Sequence, residues 1–167
     1  ISSNIRIKYK PVTVFFEMGG GSGGSSFIEV EYGQPMPNIT KPERTDFDFK
    51  GYYTEQNGNG VQYYDKNANS VINWDRQTPT LLYDYWKSNK DIKVSLNPSG
   101  GDGDIIDIIV KLNDNMPNAP KPVREGYSFL GYFEYPNGYG TQYYTSTMES
   151  NHVWNKDVDE SVIYANW

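Results

Sequence analysis

Met36-Pro37-Asn38 returns along the chain as Met116-Pro117-Asn118, at an offset of 80 residues. With that register set, the sequence repeats on both sides of it. Upstream, Gly20-Gly21 matches Gly100-Gly101. Downstream, Lys41-Pro42 matches Lys121-Pro122, Arg44 matches Arg124, and Phe49-Lys50-Gly51-Tyr52 matches Phe129-Leu130-Gly131-Tyr132. Asn57-Gly58-Asn59-Gly60 matches Asn137-Gly138-Tyr139-Gly140, Gln62-Tyr63-Tyr64 matches Gln142-Tyr143-Tyr144, and Trp74 matches Trp154. After that tryptophan the second copy gains one residue, so Leu82-Tyr83 and Trp86 meet Ile163-Tyr164 and Trp167. The chain is one unit written twice, as modules 12–86 and 92–167 joined by a polar linker, 87–91. Residues 1–11 form a leader. Within it Ile5 to Lys10 precedes the first module much as Leu82 to Lys87 precedes the second. This leader is either the last strand of a preceding copy or a strand or tail of the first module.

Each copy reads as β structure. Ile92, Val94 and Leu96 alternate with Lys93, Ser95 and Asn97, the period of a strand with one buried face. Transferred to the first module, the inward positions are Val12, Val14 and Phe16, with Phe15 outside. The next run, Ile28, Val30 and Tyr32, maps to Ile108, Val110 and Leu112, and the glycine-rich link between the runs predicts a β-hairpin. Pro35, Pro37 and Pro42, like Pro117, Pro120 and Pro122, leave room for no more than a short helical turn. Residues 47–53 and 127–133 read as third strands. The Asn-Gly runs at 57 and 137 read as turns into Gln62-Tyr63-Tyr64 and its copy. Residues 81–86 and 162–167 close the modules. Trp74, Trp86, Trp154 and Trp167 are expected to fill much of the core, because modules this small bury only about 60% of their unfolded surface.

Composition narrows the function. The chain has 167 residues, a net charge of −6, no cysteine, and 26 aromatic side chains (Tyr 15, Phe 7, Trp 4). The acidic balance argues against nucleic acid as partner, and the missing cysteine excludes disulfides and thiolate metal sites. No apolar run reaches the roughly 20 residues of a bilayer span. Ile1-Ser2-Ser3 carries neither an initiator Met nor a signal-peptide pattern, so the chain is expected to be a piece of a longer protein.

The ordered motifs Tyr32-Gly33-Gln34-Pro35-Met36-Pro37, Pro42-Glu43-Arg44-Thr45, Phe49-Lys50-Gly51-Tyr52-Tyr53, Gln62-Tyr63-Tyr64-Asp65, Asn73-Trp74-Asp75 and Leu82-Tyr83-Asp84-Tyr85-Trp86 together resemble the Listeria–Bacteroides repeat, the module of the internalin B repeat and of many bacterial surface proteins. The second copy keeps Met116-Pro117, Pro122-Val123-Arg124-Glu125-Gly126-Tyr127, Phe129-Leu130-Gly131-Tyr132-Phe133 and Ile163-Tyr164-Ala165-Asn166-Trp167. It departs at Lys111-Leu112-Asn113-Asp114-Asn115, where Tyr-Gly-Gln-Pro is expected. Tyr52 and Tyr132 stand where a tryptophan is usual. The resemblance implies an α+β, predominantly β fold of two tandem β-grasp-like (ubiquitin-related) modules. It also implies export to the bacterial cell surface or medium, neighbouring domains in the same chain, and a non-enzymatic role as a stalk or adhesive interaction repeat. The partner is then a host or cell-surface protein, or a glycan.

Sites of chemistry are tested against the two copies. Gly19 to Gly24 satisfies G-x-G-x-x-G, but the following residues alternate as a strand and offer no helix N-terminus to a pyrophosphate. Asp65-Lys66-Asn67-Ala68-Asn69 begins like a calcium loop, yet Ser70 and Arg76 occupy the positions that require Gly and a bidentate carboxylate. Asp102, Asp104 and Asp107 read as an exposed acidic turn. His152 is the only histidine and aligns with Ile72, as a strand position that tolerates either side chain. Asp46 and Asp48 share a strand face, but align with Gly126 and Ser128, so they read as surface charge. Asn38-Ile39-Thr40 matches a glycosylation sequon, which a bacterial origin makes irrelevant. No catalytic residue, cofactor or metal is assigned. The alternative function is carbohydrate or cell-wall binding, with Tyr53, Tyr63, Tyr64, Phe133, Tyr143 and Tyr144 as candidate ligand contacts.

Overall fold

The computed structural model describes residues 7–167, so Ile5 and Arg6 of the expected leader strand lie outside the described residues. Residues 7–10 carry no strand. The chain divides into two compact units, Ile1–Lys87 and Ser88–Trp167, each built on one five-stranded sheet.

In the first unit β1 (Val12–Phe16) and β2 (Phe27–Val30) form the expected antiparallel hairpin, with Val12 opposite Val30 and Phe15 opposite Phe27. β3 (Phe47–Tyr53) pairs antiparallel with β4 (Gln62–Tyr64), and β5 (Thr80–Ser88) inserts between β1 and β3. β5 runs parallel to β1, giving the order β2-β1-β5-β3-β4. The second unit repeats this with β6 (Ile92–Asn97), β7 (Ile106–Val110), β8 (Gly131–Tyr135), β9 (Tyr139–Tyr144) and β10 (Glu160–Asn166), in the order β7-β6-β10-β8-β9. β10 is parallel to β6 and antiparallel to β8.

The period-2 pattern places side chains as it should. Val14, Phe16 and Val30 are buried while Phe15 is exposed, and Val94, Leu96 and Val110 repeat the arrangement. Each fully buried aliphatic chain of this kind, such as Leu82 or Ile163, contributes on the order of 2 kcal/mol. Trp74 and Trp154 are fully buried; Trp86 and Trp167 pack half-buried against the edges of their cores.

Four expectations need correction. Tyr32 lies beyond the end of β2 and is exposed, its ring 4.8 Å from that of Tyr9. The third strand of the second unit begins only at Gly131, although the turn before it, with the Tyr127 N–H donating to the Arg124 carbonyl, matches the Phe47–Arg44 turn after which the first unit's strand starts at once. Asp46 precedes β3 in a left-handed turn (φ 63°), so it shares no strand face with Asp48. The helical part of the α+β expectation is absent among the described residues, where only 3-10 turns form at Gln56–Gly58 and Pro136–Gly138.

A proline-punctuated segment follows the hairpin in each unit, around Met36 and Met116, which are both buried. It is tied down at its polar atoms: the Tyr64 hydroxyl donates to the Pro37 carbonyl (2.7 Å) and Tyr144 to Pro117 (2.5 Å). The Trp74 N–H donates to the Gln34 carbonyl (2.8 Å), and the Gly33 N–H returns to the Trp74 carbonyl (2.7 Å). The second unit makes the same pair through Asp114 and Asn113. Asn113 takes the left-handed conformation of Gly33 (φ 65° against 82°), which asparagine tolerates, so the divergent sequence there keeps the turn.

Candidate functional site

Four of the six candidate contact aromatics do not face solvent. Tyr63, Tyr64, Tyr143 and Tyr144 are fully buried. Tyr63 packs on Trp74 (4.9 Å between centroids) and Tyr64 on Phe16 and Tyr52. The Tyr63 hydroxyl donates to the Asp75 carboxylate, and Tyr143 to Asn155 at 2.7 Å. Burial pushes all four phenols above their ordinary pKa. Their role is to fill the core and pin the covering segments. Tyr53 and Phe133 are half-buried, and Tyr53 meets Tyr85 edge to face at 6.0 Å.

The two units share a different constellation, at the glycine turn that follows β1 and β6. Positive φ at Gly20 and Gly100 makes the turn. A Cβ on Gly21 would stand 2.6 Å from the Trp86 indole, and one on Gly101 would stand at the same distance from Trp167. Only glycine lets the turn close on the ring. Beside it the Arg44 guanidinium lies 3.6 Å over the Phe47 ring, and Arg124 lies 3.8 Å over Tyr127. Phe49 meets Trp86 at a steep tilt, 5.3 Å between centroids, and Phe129 meets Trp167 edge to face at 5.6 Å.

Around this constellation the first unit has an open groove of about 740 Å³. Its walls are Trp86 and the Arg44–Phe47 pair; Lys41 and Lys50 line it from the same stretch of chain and Lys66 from the turn after β4, with Glu43 and Asp48 as the carboxylates present. Among the described residues, Lys41, Arg44 and Lys66 have no ion pair or side-chain hydrogen bond to protein; Lys50 stands 3.9 Å from Asp48. A smaller cavity of about 220 Å³ adjoins the other side of Arg44 and Trp86, beside Asp84. The Asp84 carboxylate accepts from the Trp86 indole N–H (2.6 Å) and the Gly19 N–H (2.7 Å). Ala165 replaces it in the second unit, and the Trp167 indole donates instead to the Pro98 carbonyl at 3.0 Å. Burial, with the Asp84 charge as the smaller cause, raises the pKa of Tyr52, whose buried hydroxyl has no hydrogen-bond partner among the described residues. Sequence reading registers Arg44 and the Gly20-Gly21 pair as repeated but assigns them no site. The repeated offset of Gly-Gly, Arg and Trp is the signal that marks them.

The remaining motifs behave as local structure. Gly19 to Gly24 links two antiparallel strands. Asp65 Oδ1 accepts from the N–H groups of Asn67 and Asn69, a side-chain-capped turn, and Thr145 Oγ1 does the same for Thr147 and Glu149. Asp107 accepts from the Ser95 hydroxyl. His152 is exposed on a bend, not on a strand, edge-on to Tyr143. Among the described residues no group of three or more His, Asp or Glu side chains is placed to hold a metal ion, and no helix is long and apolar enough to cross a membrane.

The family model of the Listeria-Bacteroides repeat domain matches the chain twice, over residues 13–76 and 93–161. Among curated proteins the chain is similar to two from Evansella cellulosilytica. It is 29% identical over 127 residues to one named "Putative Gly-rich membrane protein", covering 73% of this chain and 13% of that protein. It is 26% identical over 127 residues to one named "Putative membrane protein", covering 73% of this chain and 17% of that protein. The chain therefore spans less than a fifth of the length of these relatives. No solved structure matches it.

Proposed function

The chain belongs to the Listeria-Bacteroides repeat family, and from that premise we propose that it is a non-enzymatic repeat region of a bacterial surface or secreted protein. In this reading it serves as a spacer that carries neighbouring domains away from the cell and offers adhesive contacts to proteins. The family is typical of bacterial surface proteins and is not known for catalysis, and the similar proteins named above are membrane proteins by name. The observation that carries the reading is the duplication of one aromatic core. Val14, Met36, Phe49, Tyr52, Tyr63, Tyr64 and Trp74 are buried in the first unit, and Val94, Met116, Phe129, Tyr132, Tyr143, Tyr144 and Trp154 in the second. His152 and the Asp46–Asp48 pair do not repeat.

The mixed sheet, with a parallel central pair flanked by two hairpins, supports a β-grasp-like reading of each module in the manner of the internalin B repeat. The proline-rich segment stands in for the usual helix. Modules 12–86 and 92–167, the link 87–91 and a leader at 1–11 are the divisions this reading uses.

The test varies the number of modules in the full-length surface protein and measures antibody access to a tag on its outermost domain. Access that rises with module number at constant display is expected. Access independent of module number overturns the spacer reading.

A further inference from the structure

We propose that the groove of the first module is a binding site for an acidic polysaccharide, a site the second module has lost. The protein carries a net charge of −6, yet four cationic side chains, Lys41, Arg44, Lys50 and Lys66, converge on this one groove against two carboxylates. Among the described residues Lys41, Arg44 and Lys66 make no ion pair or side-chain hydrogen bond. Four cations gathered against two carboxylates leave a net repulsion, and a bound anion relieves it.

The groove's chemistry selects a sugar carrying carboxylate or phosphate groups. Stacking of the Arg44 guanidinium on Phe47 fixes its plane and leaves its N–H edges for a planar or tetrahedral oxyanion. The half-buried Trp86 indole supplies an apolar wall on which the C–H face of a sugar ring can lie, while Ser22, Thr45 and Asn67 bring hydroxyl and amide groups suited to sugar hydroxyls. At about 740 Å³ the space lies within the range of small-ligand clefts, about 300–1,000 Å³. The second module keeps the shared frame of Lys121, Arg124, Tyr127 and Trp167. It holds Leu130, Ser146 and Thr147 where the first has Lys50, Lys66 and Asn67. The site goes beyond the spacer role and does not depend on it.

The experiment titrates the 167-residue chain with polygalacturonate and with a phosphate-linked glycan polymer, using calorimetry and tryptophan emission. Dextran serves as a neutral control and polyglutamate as an acidic control without sugar. Saturable binding to either acidic glycan, weakening as salt rises, is expected, with dextran inert and polyglutamate at least about tenfold weaker. The two glycan arms tell carboxylate from phosphate recognition. The double variant Lys50→Leu, Lys66→Ser places the second module's residues in the first and is expected to lose about tenfold or more in affinity with an unchanged melting temperature. The double variant Lys8→Gln, Lys10→Gln removes the same charge elsewhere and is expected to leave affinity within about twofold. No binding to either acidic glycan, equal binding of polyglutamate, or equal losses in the two double variants overturns the proposal.

Discussion

The side-chain amide of Gln62 occupies the space that any side chain on Gly51 would need. Its Nε2 lies 2.7 Å from where a Cβ would stand and donates to the carbonyls of Lys50 (3.3 Å) and Tyr64 (3.1 Å). The Tyr64 carbonyl crowds the same point. Gly131 and Gln142 repeat the arrangement, with φ of 133° against 122° at Gly51. The register of β3 on β4 shifts at this point, and the glutamine amide bridges the irregularity.

Gly51→Ala should therefore destabilise the first unit by at least about 3 kcal/mol, since a positive φ and a backbone clash add together. Gly131→Ala should do the same to the second. Hydrogen exchange read unit by unit checks this: protection should fall in the unit that carries the substitution, and protection unchanged in both would contradict the account.

Tyr64→Phe and Tyr144→Phe each remove only a hydroxyl and leave the Pro37 or Pro117 carbonyl without its donor. Each should cost about 1 kcal/mol in urea unfolding. A larger loss from Tyr53→Phe, whose ring is only half-buried, would show that the phenol network has been misassigned.

Stability should fall in alkali. Burial pushes Tyr132 and Tyr143 up to about 12, so the fold favours the neutral phenol. That stabilisation is fully present below the unfolded-state pKa near 10 and is lost as pH rises from about 10 to 12. Tyrosinate absorbance and far-ultraviolet circular dichroism, followed together, should show ionisation of the buried tyrosines coinciding with unfolding.

The second unit should also be the more acid-sensitive. Lys156 (2.7 Å) and the Thr141 N–H hold the Glu134 carboxyl down at about 2. A depressed carboxyl contributes stability above its unfolded pKa, near 4.3, that disappears as pH falls from there toward 2. With the pair partly exposed, about 1 kcal/mol is at stake. Lys156→Met should flatten the pH dependence of the second unit over that window. Thr54 and Arg76 stand at these positions in the first unit, so its profile should not change.

Much of this architecture is legible in the sequence, for a physical reason. A strand with one buried face writes its alternation directly, and the Ile92-Val94-Leu96 run fixes the inward set of both modules. The same rule misleads at Tyr63-Tyr64, where period 2 sends one of two adjacent rings outward. Both are buried, because Trp74 and its segment cover one face of β4 while Phe16 and Tyr52 lie on the other. Likewise Asn57 and Asn137 announce their turns by tolerating positive φ. The groove announces nothing. Lys41, Arg44, Lys50 and Lys66 are dispersed along the chain, meet only once the sheet has formed, and are hidden beneath an acidic total.

The parallel pairing of β1 with β5, and of β6 with β10, sets how a module answers tension. Strands side by side in the same direction receive the chain at one end and release it at the other. A pull on the two ends of a module therefore slides these strands lengthwise and strains their hydrogen bonds together, whereas peeling the β1–β2 hairpin opens its bonds one after another. Single-molecule stretching should find a module far tougher when gripped at its ends than across that hairpin, a property suited to a tether exposed to flow.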